Sequence, residues 1–171
     1  MSRETIHPAA RDEETLWRES DVRRVRRSGP GGQHRNKVES GIVLLHRSTG
    51  ISAEANERRS QADNRRAALR RLRINLAIDV RLDRPDAATP SELWQSRCRQ
   101  GRIAVSTKHD DFPTLLAEAL DVLVADELDV KIAAERLGCT GSQFVKFLKS
   151  EPRALLLVNT RRAEQGLNRL K

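Results

Sequence analysis

The stretch SQADNRRAALRRLRINLAIDVRL, residues 60–82, decides the fold of the first half of the chain. Apolar residues recur in it at steps of three and four, which places them on one face of a helix with arginines on the other faces. These apolar residues are Ala68, Leu69, Leu72, Leu76 and Val80. Ser60, or Gln61 and Asp63 in the first turn, can cap the N-terminus. The pattern predicts an amphipathic helix that covers a sheet.

The strands of that sheet are predicted on the N-terminal side of the helix. Residues 39–47 (ESGIVLLHR) and residues 51–55 are apolar runs of strand length, joined by the turn-forming Ser48-Thr49-Gly50. The two runs predict a hairpin. A shorter strand is predicted at residues 21–27, where two valines lie among arginines and run into a glycine- and proline-rich loop.

On the C-terminal side of the helix the pattern changes. Pro85 and Pro90 mark residues 83–92 as a linker. Four helices are predicted beyond it, at residues 112–127, 129–137 and 142–149 and from Pro152 to near Leu170.

The predicted fold class is α+β, in two domains. Residues 15–82 form a small mixed domain, in which a short β-sheet carries a long amphipathic helix and an exposed loop. Residues 93–171 form a small all-α module like a helix-turn-helix. Residues 1–14 are polar and without a pattern, and are predicted to be a mobile N-terminal segment.

The charge of the chain favours a polyanionic partner. The formal net charge is +8 and the pI is about 10.4. The excess lies in residues 1–109, because residues 110–171 are slightly acidic. Nucleic acid and anionic lipid both fit this charge. Aromatic residues make up only 3% of the chain, so stacking of single-stranded bases is not its main device.

Several other classes are disfavoured. No apolar run approaches the roughly 18 residues of a membrane helix, and the acidic N-terminus resembles neither a signal nor a transit peptide, so a cytoplasmic protein without membrane contact is expected. Cys98, Cys139 and the 4 histidines lack the spacing of metal ligands. No metal, cofactor or disulfide is therefore expected.

The most specific feature is the loop SGPGGQHRNK, residues 28–37. Gly31 and Gly32 lack Cβ atoms, so their backbone can take positive φ values and lie against another molecule. Gln33 does not titrate near neutral pH and cannot be a general base, but its amide can position a hydrogen bond. Such a donor stabilises the oxygen charge that develops when water attacks an ester. A bare Gly-Gly-Gln also occurs by chance in flexible loops, so its neighbours must decide.

Those neighbours resemble the catalytic domain of class I peptide chain release factors and of their ribosome-rescue relatives. The family pattern is S-G-x-G-G-Q-H-x-N-K, followed by H-x-x-T-G-I and by R-S-Q-x-x-N-R. This sequence continues with HRSTGI at residues 46–51 and RSQADNR at residues 59–65, in the same order. Three linked motifs are far more specific than one, and the resemblance covers roughly residues 15–82.

The resemblance implies hydrolysis of the peptidyl-tRNA ester in the peptidyl-transferase centre, with the ribosome, its 23S-type rRNA and peptidyl-tRNA as partners. In that family the glutamine backbone N–H stabilises the transition state and the leaving oxygen, while the side chain helps to admit water. These roles fall on Gln33, with Gly31 and Gly32 setting the backbone. The residues that the resemblance assigns to loop support are Ser28, Gly29, Pro30, His34, Asn36 and Lys37. Family glutamines are commonly methylated, so Gln33 is a candidate for modification by a glutamine methyltransferase.

Basic residues around the loop and on the long helix are predicted to contact RNA. The planar guanidinium group suits phosphate, and such contacts are salt-dependent and largely independent of sequence. The candidates are Arg23, Arg24, Arg26, Arg27, Arg35, Lys37, Arg59, Arg65, Arg66, Arg70 and Arg73. The alternative is that the arginines of the helix form only a solvated face.

The C-terminal module carries a helix-turn-helix pattern, with Ala134, Gly138 and the apolar pair Phe144 and Phe147. Its second helix offers few polar groups to base edges, which disfavours reading of DNA. Binding of rRNA, binding of an unknown protein partner, and packing alone stay open. Unlike the family's full-length members the sequence has no decoding motif, and unlike the short rescue members its tail, residues 160–171, is only modestly basic.

The sequence thus predicts an enzyme, a codon-independent peptidyl-tRNA hydrolase that acts within the ribosome. Stalled ribosomes and split large subunits are both open as its substrate. The alternative is a ribosome-, RNA- or DNA-binding regulator that uses the helix-turn-helix and keeps an inactive Gly-Gly-Gln fold.

Overall fold

The structure is a computed structural model that describes residues 6–26, 39–83 and 89–171. Contacts within the chain divide it into two compact units, Met1–Val80 and Arg81–Lys171. In the described residues the first unit combines helices with an antiparallel sheet, and the second is helical with one short hairpin. The predicted α+β fold class is therefore confirmed.

The first unit is built from two short helical segments, three strands and one long helix. A 3₁₀ turn, Pro8–Ala10, and helix α1, Glu13–Glu19, precede the sheet. The strands are β1, Ser20–Val25, β2, Gly41–His46, and β3, Ser52–Ala55; the long helix α2 is Gln61–Asp79. Both strand pairs are antiparallel, in the order β1-β2-β3.

The core of this unit lies between the sheet and α2. Ile42 and Leu44 of β2 pair with Ala55 and Ala53 of β3, and all four side chains are buried. Helix α2 packs on β2 and β3. Four of the five apolar residues predicted for its inner face are buried, namely Ala68, Leu69, Leu72 and Leu76. Burial of each leucine contributes about 1.5–3 kcal/mol, so this face holds the helix on the sheet.

The ends of α2 follow local hydrogen bonding. Ser60 is the N-cap, since its hydroxyl oxygen accepts a hydrogen bond from the Asp63 N–H at 3.3 Å. The helix ends at Asp79, short of the predicted residue 82, because Val80 takes an extended conformation while its N–H still donates to the Leu76 carbonyl. Val80 is consequently half-buried rather than part of the core.

Residues 6–14, the described part of the segment predicted to be mobile, pack against the rest of the first unit. Ala9 is fully buried, and Arg73 of α2 donates to its carbonyl at 3.0 Å. His7 accepts from the Ala9 N–H at Nδ1, so Nε2 is the donor toward the Val80 carbonyl, at 3.2 Å. These contacts join side chains to backbone groups distant in sequence, and hydrophobic periodicity carries no signal of them.

The second unit contains five helices and one hairpin among its described residues. Its elements are α3, Glu92–Arg97; β4, Cys98–Arg99; β5, Arg102–Ile103; α4, Phe112–Ala125; α5, Val130–Arg136; α6, Gly141–Lys149; and α7, Pro152–Glu164. Helices α5 and α6 pack against each other through a turn at Gly138, as the helix-turn-helix pattern predicts. The hairpin β4–β5 was not predicted.

Aromatic side chains form the core of the second unit. The ring of Phe147 lies 5.8 Å from that of Trp94 and 5.5 Å from that of Phe112, both in edge-to-face geometry. The Trp94 indole N–H donates to the Leu137 carbonyl at 2.7 Å, so its polar atom is satisfied in the interior. Trp94 thereby ties α3 to the end of α5.

Two buried carboxylates of α4 hold the chain on either side of the predicted linker. Asp121 accepts hydrogen bonds from the Arg81 guanidinium at 3.1 Å and from the Leu82 N–H at 3.2 Å. Glu118 accepts from the Ser91 N–H at 2.7 Å. Residues 81–82 and 91 are therefore fixed on α4.

The last helix is shorter than predicted. It ends at Glu164 rather than near Leu170, because Gly166 takes a left-handed conformation (φ 71°) and the Leu167 N–H turns back to the Arg162 carbonyl at 2.7 Å. Asn159 of α7 then binds both the N–H and the carbonyl of Leu170, at 2.7 and 3.2 Å. The tail is folded back on its own helix.

The two cysteines come together although they are far apart in sequence. The Cys98 thiol donates to the Gly138 carbonyl at 3.4 Å, next to Cys139, and both thiols are free. Burial raises the pKa of Cys139 to about 12, so this thiol stays protonated and unreactive at neutral pH. In the part of the chain that the structure describes, no cluster of side chains could hold a metal ion. No helix there has the length and apolar character that crossing a bilayer requires.

Candidate catalytic loop and its base

The predicted catalytic loop lies outside the described residues. This applies to the proposed catalytic residues Gly31, Gly32 and Gln33, to the loop-support residues Ser28, Gly29, Pro30, His34, Asn36 and Lys37, and to the basic residues Arg27 and Arg35. What the structure describes is the base of the loop, meaning the residues on either side of 27–38 and those that hold them.

The two ends of the loop leave from neighbouring strands. Val25 at the end of β1 is paired with Gly41 at the start of β2. Just beyond this pair, Arg26 Nε and Glu39 Oε1 approach to 3.2 Å. That ion pair is exposed and contributes at most about 1 kcal/mol, so the strand pairing, not the charge, closes the base.

Gly41 is required by close packing at this base. A Cβ atom at this position would lie 2.6 Å from Val25 Cγ2, 2.9 Å from the Val25 carbonyl oxygen and 3.1 Å from Asn56 Cβ. The first two distances are shorter than carbon atoms tolerate, and one of the obstacles is backbone. Any side chain would therefore push β1 away from β2 where the loop begins.

Asn64 anchors the C-terminal end of the loop. Its amide nitrogen donates to the Ser40 carbonyl at 2.6 Å and to the Arg58 carbonyl at 3.0 Å, and its oxygen accepts from the Arg58 N–H at 2.9 Å. The side chain is fully buried at the start of α2. The Gln61 amide adds a longer contact, 3.4 Å, to the Glu39 carbonyl. The RSQADNR motif therefore holds the backbone just after the loop.

The HRSTGI motif builds the turn between β2 and β3. The buried His46 ring bonds to the Thr49 hydroxyl through Nδ1 at 2.8 Å, and the Gly50 N–H donates to the His46 carbonyl at 2.8 Å. Gly50 has a φ of 71°, a conformation that favours glycine. The turn fixes the register that places Leu44 opposite Ala53. Both flanking motifs thus support the base of the loop through His46 and Asn64, which are buried.

The predicted RNA-binding arginines fall into two groups. Some are exposed, namely Arg23 and Arg24 on β1, Arg26, Arg59 and, in an ion pair with Asp63, Arg66. Others make intramolecular contacts: Arg65 lies 4.1 Å above the Trp17 ring, and Arg73 binds the Ala9 carbonyl. Arg70 is half-buried and also has an interaction within the protein. Contact with RNA remains a prediction for all of them, and the exposed group is the one free to reach a ligand without loss of structure.

Arg71 is a structural arginine that the pattern did not distinguish from the others. It donates to the Glu54 carbonyl at 2.6 Å and forms an ion pair with Glu57 at 2.7 Å, which ties β3 to α2. Partial burial raises the pKa of Glu57, but hydrogen bonds from the backbone and from the Arg71 guanidinium outweigh this effect and lower the pKa overall. An ion pair of this kind, between residues 14 positions apart, has no signature in the sequence.

The family match and the similar proteins point to the same family. Residues 14–112 match the RF-1 domain family. The chain is similar to peptide chain release factor 1 of Leptospira biflexa, with 31% identity over 75% of this chain and 42% of the relative. It is also similar to that of Caulobacter vibrioides, with 35% identity over 63% and 30%, and to that of Mycoplasma genitalium, with 28% identity over 84% and 42%.

The match covers only part of each relative. The chain spans less than half the length of these curated relatives. No solved structure matches it. The family match nevertheless covers more than half of the chain and includes all three linked motifs together with the base that they build. The chain therefore belongs to the RF-1 domain family, that of the class I release factor catalytic domain, as its motifs predict.

Proposed function

We propose that this protein hydrolyses the ester bond of peptidyl-tRNA in the peptidyl-transferase centre of the ribosome and so releases the nascent peptide. The observation that carries the proposal is the position of the Gly-Gly-Gln sequence. It is inserted between two paired strands whose junction is fixed by Gly41 and Asn64. A base of this rigidity suits a loop that must present one backbone group to a reacting ester.

The chemistry assigned to the loop is positioning of a hydrogen bond. Water attacks the ester carbonyl, the bond to the tRNA 3′ oxygen breaks, and the products are a peptide carboxylic acid and a free tRNA hydroxyl. The Gln33 N–H stabilises the charge on oxygen in the transition state, and a donor of this kind is worth about 3–4 kcal/mol. Gly31 and Gly32 allow the close approach. No cofactor is required.

The exposed arginines support a ribosomal partner. Arg23, Arg24 and Arg26 lead directly into the loop, and Arg59 precedes α2. Guanidinium groups in these positions suit rRNA phosphates beside the peptidyl-transferase centre. The proposal implies a cytoplasmic protein, and Gln33 as the target of a glutamine methyltransferase.

We also propose that release does not require a stop codon. This part rests on the resemblance of the three linked motifs to those of the ribosome-rescue members of the family. Stalled ribosomes and split large subunits are both suitable substrates, since both present peptidyl-tRNA to the same centre.

The experiment is peptide release by the purified full chain. Ribosomes stalled on an mRNA without a stop codon, and separately isolated large subunits, carry labelled peptidyl-tRNA. Gly32→Ala should displace the backbone that presents the Gln33 N–H and lower the release rate by about 100-fold or more, the loss typical when such a donor no longer reaches the reacting oxygen. Gln165→Ala, an exposed glutamine beyond α7, is the matched control and should be as active as the wild type.

The outcomes separate the two functions. Release that depends on Gly32 and is equal with and without a stop codon supports the proposal, and the two substrates tell which form of the ribosome is used. Binding to ribosomes without release supports a binding regulator, which the packing of α5 against α6 favours. Release that Gly32→Ala leaves unchanged contradicts the assignment of the loop.

A further inference from the structure

The hairpin β4–β5 places two arginines directly opposite each other. Arg99 and Arg102 are cross-strand partners, and both are exposed. The two residues between them, Gln100 and Gly101, both have positive φ values, 49° and 74°, as tight hairpin turns require. Opposed side chains lie on the same face of a hairpin, with Cβ atoms about 5 Å apart, and like charges in this position repel.

Nothing in the described protein neutralises this pair. Neither arginine has a carboxylate within ion-pair distance among the residues that the structure describes. The neighbouring Arg97 is a contrast, because its guanidinium binds Asp111 at 2.6 and 2.9 Å. Arg97 therefore serves the fold, whereas Arg99 and Arg102 hold two positive charges together at the surface. An anion placed between them would turn repulsion into attraction.

The hairpin is held rigidly beside α6. The Thr140 N–H donates to the Gly101 carbonyl at 3.1 Å, and Gly101 also forms a parallel bridge with Cys139. A Cβ at Gly101 would lie 3.3 Å from Thr140 Cγ2. The turn of the hairpin therefore touches the residues that start α6, and the two elements form one surface.

Helix α6, which starts at this contact, has a polar and basic exposed face. Ser142, Lys146 and Lys149 follow at steps of four and three, so they lie on one side of the helix over about 10 Å. All three are exposed, while Phe144, Phe147 and Leu148 fill the opposite side. One hydroxyl and two ammonium groups are thus aligned on the helix whose start contacts Gly101, between the two arginines.

We propose that this surface, defined by Arg99, Arg102, Ser142, Lys146 and Lys149, binds the phosphate backbone of RNA. The opposed guanidinium groups bind one phosphate, and the α6 face binds those that follow. Guanidinium and ammonium groups spread along an exposed surface suit phosphates spaced along a strand, so recognition is expected to follow backbone shape rather than sequence. The choice of RNA as the ligand rests on the proposed ribosomal function, whereas the affinity of the surface for phosphate does not.

The surroundings of the surface favour RNA over a membrane. A helix that lies on a bilayer needs large apolar side chains beside its basic ones. The exposed large apolar residues described in this unit lie on other elements: Val124 on α4, Ile132 on α5, Leu156 on α7, and Leu167 in the tail. The surface itself is charged and polar.

The experiment measures the affinity of the full chain for a fluorescent RNA hairpin over a series of salt concentrations. The variant is Arg99→Gln with Arg102→Gln, and the matched control is Lys131→Gln with Arg169→Gln, which removes the same charge from exposed sites elsewhere in the unit. The Arg99/Arg102 variant should raise Kd about tenfold and lower the salt slope by about one, for the one phosphate contact that is lost. The control should change both quantities much less.

Thermal unfolding gives an independent readout. Removing two opposed like charges should leave the melting temperature unchanged or raise it, whereas a merely structural arginine pair would lower it on removal. A fall in affinity no larger than that of the control overturns the proposal. Tighter binding to duplex DNA, or to vesicles of phosphatidylserine, than to RNA also overturns it.

The two proposals can fail separately. If the protein releases no peptide but still binds RNA through Arg99 and Arg102, the proposed function is wrong and this inference stands. A protein that releases peptide, and whose Arg99/Arg102 variant binds RNA as the control does, gives the opposite result.

Discussion

At the scale of single residues, the proposed function divides the family motifs into residues that take part in the reaction and residues that hold the loop in position. In the proposed function, Gln33 contributes a hydrogen bond whose value depends on its position, because its amide does not titrate near neutral pH. Asn64 and Gly41 supply that position indirectly, one by binding the Ser40 carbonyl and the other by letting Val25 approach. Such residues are positioning residues, and their loss should affect release and stability together.

Asn64→Ala tests this role. The substitution leaves the Ser40 and Arg58 backbone groups without their buried partner, which should cost about 2–3 kcal/mol and lower peptide release further than the fraction unfolded explains. The measurements are hydrogen exchange of the β2 and α2 amides and the release rate at saturating protein.

Asn75→Ala is the matched control for Asn64→Ala. Asn75 also lies on α2 and donates to a backbone carbonyl, that of Ser52, but it is more exposed and sits far along the helix from the loop. Its substitution should leave the release rate near that of the wild type. Equal effects of the two substitutions on release would show that Asn64 acts only through stability.

At the scale of elements, α2 is the part most fully determined by its own sequence. Its apolar steps of three and four and its Ser60 cap predicted the packing face and the start that the structure has. The β2–β3 hairpin was predicted equally well, since alternation and a Ser-Thr-Gly turn are local signals. The helix end was missed because Val80 keeps the apolar period while its backbone has already become extended.

Leu72→Ala should loosen α2 from the sheet. Leu72 is fully buried, so its truncation should cost about 2–5 kcal/mol and raise hydrogen exchange throughout Gln61–Asp79. Val80→Ala is the control, as Val80 shares the sequence pattern but is half-buried at the helix end, and it should cost less than about 1 kcal/mol. Similar losses at both positions would mean that the helix is not anchored through this face.

At the scale of the whole molecule, what the sequence did not predict is mostly polar and long-range. Asp121 and Glu118 look like polar residues of an amphipathic helix, yet they are buried and hold Arg81 and Ser91. Arg65 and Arg73, which are also predicted to contact RNA, make contacts within the protein that the sequence did not indicate: Arg65 stacks on Trp17, and Arg73 binds the Ala9 carbonyl. Periodicity reports which face of an element is apolar and cannot report which distant polar group a side chain will meet.

The candidate site shows the same division. The interpretation of residues 28–37 comes from their own sequence and from the two linked motifs, in which Asn64 and Gly50 have local structural roles. The arginine pair of the β4–β5 hairpin could not be predicted from sequence, since strands of two residues are too short to give a pattern. Gln100-Gly101 is the one local signal, a two-residue turn flanked by arginines.

The contacts at the base of the loop should hold β1 in place even when the peptide chain is cut within the loop. Residues 6–26 are held to the rest of the unit by the full β1–β2 ladder, by burial of Ala9 and Leu16, and by the bonds of His7 and Arg73. None of these contacts needs a peptide bond between residues 27 and 38. The first unit should therefore assemble from two separate polypeptides that meet between residues 27 and 38.

Residues 1–32 and 33–171, produced as two polypeptides, should co-purify as one species with the hydrogen-exchange pattern of the intact sheet, yet release no peptide. A single cut in the chain would then abolish peptide release while the fold is retained. Two fragments that fail to associate would show that the continuous loop, and not the ladder, keeps β1 in place.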